Sequence, residues 1–198
     1  MTPYQFKYRH YAEALFRALR DDAFYITMKA SVADGSSEAA MIRYMDYSIK
    51  EAEEYGDAFF PKDHDYGVSV WAKPLEQGRG KEKHEKKAAF LLEHMGKESL
   101  DTYDAIVDFM SRKADGLIDE NAWYLSIIGV LPGFQGRGLG AGLVNGILEK
   151  TDQMQVPAYL ETFTRRTVSF YNRIGFQVVD RFHEPTVDAD YWLMVRDI

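Results

Sequence analysis

The stretch Gln135-Gly136-Arg137-Gly138-Leu139-Gly140 constrains this chain more than any other. A run of mostly apolar residues from Trp123 to Val130 precedes it, and Leu139, Leu143, Val144, Ile147 and Leu148 follow at helical spacing. The pattern reads as a strand, a glycine turn and a helix start, a unit of α/β sheets. Such a turn gathers backbone N–H groups and a helix N-terminus around one small volume, which suits an anion such as a pyrophosphate.

The rest of the chain extends the same architecture. Residues 4–20 carry an aromatic-rich helical stripe, and 22–34 hold Phe24, Tyr25, Ile26 and Met28 in a less periodic run. The turn Asp34-Gly35-Ser36-Ser37 opens a helix running to about Tyr55, where Gly56 stops it. Residues 58–61 and 67–72 read as strands joined by Asp63-His64-Asp65. The charged segment 75–87 reads as a solvated loop, with a mobile flap as its functional alternative, and helical periodicity resumes over 88–114. Residues 123–130 read as a strand buried on both faces. A strand over 156–162, a short helix over 167–174 closed by Gly175, and a hairpin of 176–179 with 191–195 complete the order. The expectation is one α/β (α+β) domain spanning 1–198, a mixed sheet flanked by helices.

Composition removes several classes of function. A net charge of −7 argues against a broad nucleic-acid surface. The absence of cysteine excludes disulfides, thiolate metal sites and a cysteine nucleophile. The five histidines show no ligand spacing, so no metal is expected. No apolar stretch reaches membrane-spanning length and no secretory leader pattern opens the chain, which makes the cytoplasm the expected location.

Three readings compete for the glycine turn. A nucleotide P-loop needs a closing Gly-Lys-Ser/Thr, which Gly138-Leu139-Gly140-Ala141 lacks. A dinucleotide fingerprint fits Gly136, Gly138 and Ala141, with Glu161 near the ribose-binding position, but only 37 residues follow Glu161. That remainder is too short for the further βα units of a doubly wound sheet. The third reading takes the whole run from Val130 through Pro132 and Gln135 to Ala141, followed by Tyr159-Leu160-Glu161-Thr162 and Phe170-Tyr171-Asn172-Arg173-Ile174-Gly175-Phe176. This combination resembles the acetyl-CoA signature of the GNAT superfamily of N-acetyltransferases. With Trp123-Tyr124-Leu125, it looks like the branch that includes puromycin N-acetyltransferase.

The resemblance implies a mostly antiparallel central sheet with a V-shaped splay between strands 123–130 and 156–162. Residues of about 1–60 would form the acceptor side and about 121–180 the acetyl-CoA core. By motif position the N–H of Ile128 would face the thioester carbonyl and Val130 would pair with pantetheine. The N–H groups of Gln135, Gly136, Arg137, Gly138, Leu139, Gly140 and Ala141 would hold the pyrophosphate. Tyr171 would serve as general acid to the leaving thiolate, and Glu161 as base or amine contact. Phe24, Tyr25, Met28 and Tyr159 are the expected acceptor contacts. An asparagine common in relatives is missing from Phe163-Thr164-Arg165-Arg166-Thr167, where Arg165 and Arg166 are alternative phosphate partners. The expected activity is acetyl transfer from acetyl-CoA to a small primary amine in a ternary complex. The alternative is a CoA-binding module without catalysis. A homodimer through the terminal strands is compatible with either.

Overall fold

The computed structural model describes residues 3–198 apart from Asp34 and Asp63, so those two members of the expected turns lie outside the described residues. Among the described residues seven α-helices and six strands follow one another in the order α1 (Arg9–Ala18), α2 (Ala23–Ala30), α3 (Ser37–Tyr55), β1 (Gly56–Phe59), β2 (Gly67–Ala72), α4 (Gln77–His94), α5 (Lys97–Ala114), β3 (Trp123–Val130), α6 (Asn145–Met154), β4 (Ala158–Thr162), α7 (Arg165–Arg173), β5 (Gln177–Glu184) and β6 (Ala189–Arg196). The strands form one sheet in the order β1-β2-β3-β4-β6-β5. Every neighbouring pair is antiparallel except β3 with β4, the pair bridged by the α6 crossover. This is the expected mixed, mostly antiparallel class. Among the described residues no helix is long and apolar enough to cross a membrane.

Two apolar layers sandwich the sheet. One joins α1–α5 to Val68, Val70 and Ile127; the other joins α6 and α7 to Trp71, Trp123, Leu125, Leu160 and Phe176. β3 is buried at alternate positions, against the expectation of burial on both faces. Its second face is left half-open by the cavity described below.

The sheet is not continuous at β3. Opposite β2, Val70 pairs with Ile127 and Trp71 with Leu125, so Ser126 is an extra residue that kinks the strand. β3 and β4 pair through Trp123↔Ala158, Tyr124↔Tyr159 and Leu125↔Leu160. No further β3–β4 pair follows, so the two strands splay apart at the bulge.

Local chemistry explains two departures from the sequence pattern. The first helix begins at Arg9 rather than near residue 4. Fully buried Asp46 of α3 accepts the Tyr4 hydroxyl and the N–H groups of Lys7 and Tyr8, which holds that segment against α3 and out of the helix. The charged segment 75–87 is not a loop: from Gln77 it is the first part of α4. The helical cost of Gly78 and Gly80, about 1 kcal/mol each relative to alanine, is offset by charge pairs along the helix and across it. Lys86 meets Glu82 at 2.9 Å and Glu54 of α3 at 2.6 Å, and Arg79 donates to the Glu54 carbonyl at 3.0 Å.

Candidate active site

Beyond the bulge, β3 presents Ser126–Val130 to a cavity of about 1380 Å³. Glu161 and Thr162 of β4, Thr167, Phe170 and Tyr171 of α7, and the glycine turn line the same volume. The opening is a consequence of the sheet: strand edges that would otherwise bond each other face one space, with their backbone groups available to a ligand.

The glycine turn is held at both ends. Gln135 Nε2 donates to the Val130 carbonyl at 3.0 Å, and Leu131 N–H donates to the Tyr66 carbonyl at 2.8 Å. At the far end the Leu143 carbonyl accepts the buried Ser69 hydroxyl at 2.6 Å, and Ser69 in turn accepts the Trp71 indole N–H at 2.9 Å. Gly136 and Gly138 take φ of +75° and +74°, the left-handed region that other residues enter at a cost. Backbone bonding of the following helical turn starts with Gly142 N–H on the Leu139 carbonyl. The N–H groups from Gly136 to Ala141 therefore have no backbone acceptor among the described residues. A row of free N–H groups at a helix start is what a pyrophosphate requires, so the residues present fit CoA.

Gln135, Gly136, Gly138, Leu139, Gly140, Ala141, Ile128 and Val130 all line the cavity. Arg137 does not; its guanidinium lies 5.5 Å from the Phe134 ring centroid. Of the two alternative arginines Arg166 lines the cavity and Arg165 does not. Gly140 packs closely on α7, since a Cβ there would meet the Phe170 ring at 3.0 Å.

On the other side of the splay, β4 points Tyr159 and Glu161 into the cavity and Leu160 into the core. The Tyr159 ring stacks on Tyr124 of β3 at 4.7 Å between centroids. Burial raises the Glu161 carboxyl to a pKa of about 7, with the Tyr124 hydroxyl pulling the other way. Tyr171 is 7% exposed, packed against Phe170 and Phe176. Its pKa is raised by burial and then by the charge of Asp22, so its hydroxyl stays protonated at neutral pH. A half-buried carboxylate that titrates near neutrality and a phenol that does not are a base and an acid set apart by environment.

The link between α1 and α2 closes this end. Asp22 caps α2 through the Phe24 N–H at 3.1 Å and accepts the Thr164 hydroxyl at 3.1 Å, tying α2 to the start of α7. Phe24 and Tyr25 line the cavity. Met28 does not: it is fully buried among α1–α3 side chains, because it falls on the core face of α2. The sequence pattern did not single out Asp22, Tyr44, Tyr103 or Lys87. Lys83 and Lys87 did carry a signal, since both sit at helical spacing from Phe90 and Leu91, on the buried stripe. Among the described residues no group of three or more His, Asp or Glu is arranged to hold a metal.

Residues 90–178 match the model of an acetyltransferase (GNAT) domain, a span running from within α4 to the start of β5. Solved structures share the fold at low identity. A histone acetyltransferase HPA2 and related acetyltransferase from Corynebacterium glutamicum is 18% identical with a TM-score of 0.62, covering 95% of this chain and 89% of its own. The polyamine N-acetyltransferase of Drosophila melanogaster is 13% identical with a TM-score of 0.60, covering 96% of each chain. The C-terminal condensation domain of Ebony, solved with beta-alanyl-dopamine, is 8% identical with a TM-score of 0.66, covering all of this chain and 97% of its own. The fold is that of the GNAT acetyltransferases, and the protein is an acyltransferase.

Proposed function

We propose that this acyltransferase moves an acetyl group from acetyl-CoA to the primary amine of a small molecule, by direct attack in a ternary complex. One observation carries the reading. The free N–H groups of the glycine turn, the unpaired edge of β3, Glu161 and Tyr171 converge on one cavity. The turn would hold the pyrophosphate of CoA, and the β3 edge would take the pantetheine arm. The thioester would then lie between Ser126–Val130 and α7.

The chemistry follows from the groups available. An amine is an ammonium in water and must lose a proton before it attacks. Glu161, titrating near 7, is suited to accept that proton. The amine nitrogen bonds to the thioester carbonyl carbon, negative charge builds on the carbonyl oxygen, and a β3 N–H stabilises it. The C–S bond breaks as the carbonyl reforms. As it does so the adduct nitrogen releases its second proton to solvent, leaving the neutral amide, and the CoA thiolate takes a proton from Tyr171, which regains one from solvent. No cysteine exists to carry the acetyl group as a thioester, which favours direct transfer.

The polyamine acetyltransferase neighbour and the puromycin-like residues within 121–180 make small amines the acceptor class to try first. The cytoplasm, where acetyl-CoA is at hand, is part of the same proposal. Initial velocities with acetyl-CoA and an amine panel test it. Intersecting double-reciprocal lines and acetylated product are expected; tight CoA binding with no thiol release would instead support a non-catalytic module.

A further inference from the structure

The cavity is also lined by charged residues of α3 and α4 that the proposed reaction does not use. Lys87, its side chain 7% exposed, places Nζ 3.4 Å from Oε2 of Glu51, whose side chain is 12% exposed. Lys83, one turn earlier, approaches the same oxygen at 3.9 Å. Lys87 Nζ also lies over the rings of Tyr47, Tyr44 and Tyr103, at 4.7, 4.9 and 5.8 Å from their centroids. Oε1 of Glu51 is buried and has no hydrogen-bond partner among the described residues. Tyr25 interacts electrostatically with Tyr44 and Tyr103 on one side and with Tyr171 on the other, so the cluster and the proposed reaction centre belong to one continuous space.

The arrangement has a definite chemical preference. Aromatic faces attract an ammonium, and a ring of tyrosines is a familiar receptor for a ligand's cation. Here the chain's own Lys87 fills that ring. Burial weakens the hold of Lys87 on its proton and the Glu51 carboxylate opposes that loss. Two lysines against one carboxylate leave this end with an excess positive charge, and a second ammonium on the substrate would meet it away from water. A buried carboxylate oxygen without a donor is costly, and a lysine ammonium has donors to spare. A hydroxyl group answers both, donating to the Glu51 carboxylate and accepting from lysine.

We infer that Glu51, Lys83 and Lys87 form an acceptor-specificity site that binds a hydroxyl at the far end of the amine substrate and turns away a second ammonium. The acceptor class is then a hydroxylated monoamine, not a diamine. This rests on the acetyl transfer proposed above and names which amines it serves.

The test uses alkylamines of matched length whose far end is methyl, hydroxyl, carboxylate or ammonium, assayed by CoA release. For the wild type, kcat/KM for the hydroxyl compound exceeds that for the diamine at least tenfold. In Lys87→Met the diamine gains and the hydroxyl compound loses, reversing the order; Lys83→Met, at a more exposed position, gives the same trend if the first variant does not fold. A wild-type preference for the diamine or the carboxylate, or an unchanged order in a folded variant, overturns the inference. If none of the amines releases CoA, the proposed reaction has failed instead. Calorimetric binding of the same amines to the CoA-bound protein then decides the far-end preference separately.

Discussion

Replacing Glu161 by glutamine should stabilise the protein while disabling it, and the two effects have one cause. Burial lifts the Glu161 carboxyl from 4.5 to about 7. The folded state therefore binds this proton more tightly than the unfolded chain does. The group's contribution is most favourable below about pH 4.5 and is lost as pH rises through about 7. The size follows from the displacement: about 3 kcal/mol of folding free energy forfeited by pH 8.5. For a chain of this length that is roughly 6–12 °C in Tm. In Glu161→Gln this slope is absent. Urea unfolding at pH 5 and at pH 8.5 should show the variant gaining on the wild type by about 2.5 kcal/mol between the two conditions, since part of the contribution is already lost at pH 5. The amide's own fit cancels in that difference, because it does not titrate. Parallel stability curves for the two proteins would refute the argument that Glu161 is held as a strained, neutral-poised carboxyl. Amine acetylation in the same variant should fall by roughly 100-fold or more, as expected for loss of a general base.

Three further outcomes are expected. Wild-type turnover should rise with pH and level off above about 7, as Glu161 ionises, and Glu161→Gln should lose that bend. Tyr171→Phe should lower kcat by roughly 100-fold or more with little change in acetyl-CoA affinity, since a proton to the thiolate is needed only as the C–S bond breaks; unchanged kcat removes Tyr171 from the chemistry. Gly138→Ala should weaken CoA binding by about tenfold through the 1–2 kcal/mol of left-handed strain it adds. Gly133→Ala, equally open but without positive φ, is the control, and equal calorimetric affinities for the two would place the pyrophosphate elsewhere.

The site was legible where short-range chemistry dictates it. A glycine pair at positive φ, a strand before it and a helix after it fix the turn without help from distant residues. Alternation along β4 put Tyr159 and Glu161 on one face by geometry alone. What was hidden depends on partners far along the chain. The bulge at Ser126 shows only against β2, and Asp46 holds residues near the start of the chain through contacts about forty positions away. The segment 75–87 looked like a loop because its charges were counted without their α3 partners. Met28 misled for the opposite reason: an apolar residue near Phe24 and Tyr25 fits an acceptor pocket and a core equally well, and the rotation of α2 decides.

The most direct test is to mix the protein with acetyl-CoA labelled in the acetyl carbonyl and an amine acceptor, and to follow free thiol and labelled product together. Equal amounts of CoA and labelled acetylamine, with no label left on the protein, are the expected result. Label retained on the protein, or acetyl-CoA bound without thiol release across the amine panel, would contradict direct transfer at this cavity.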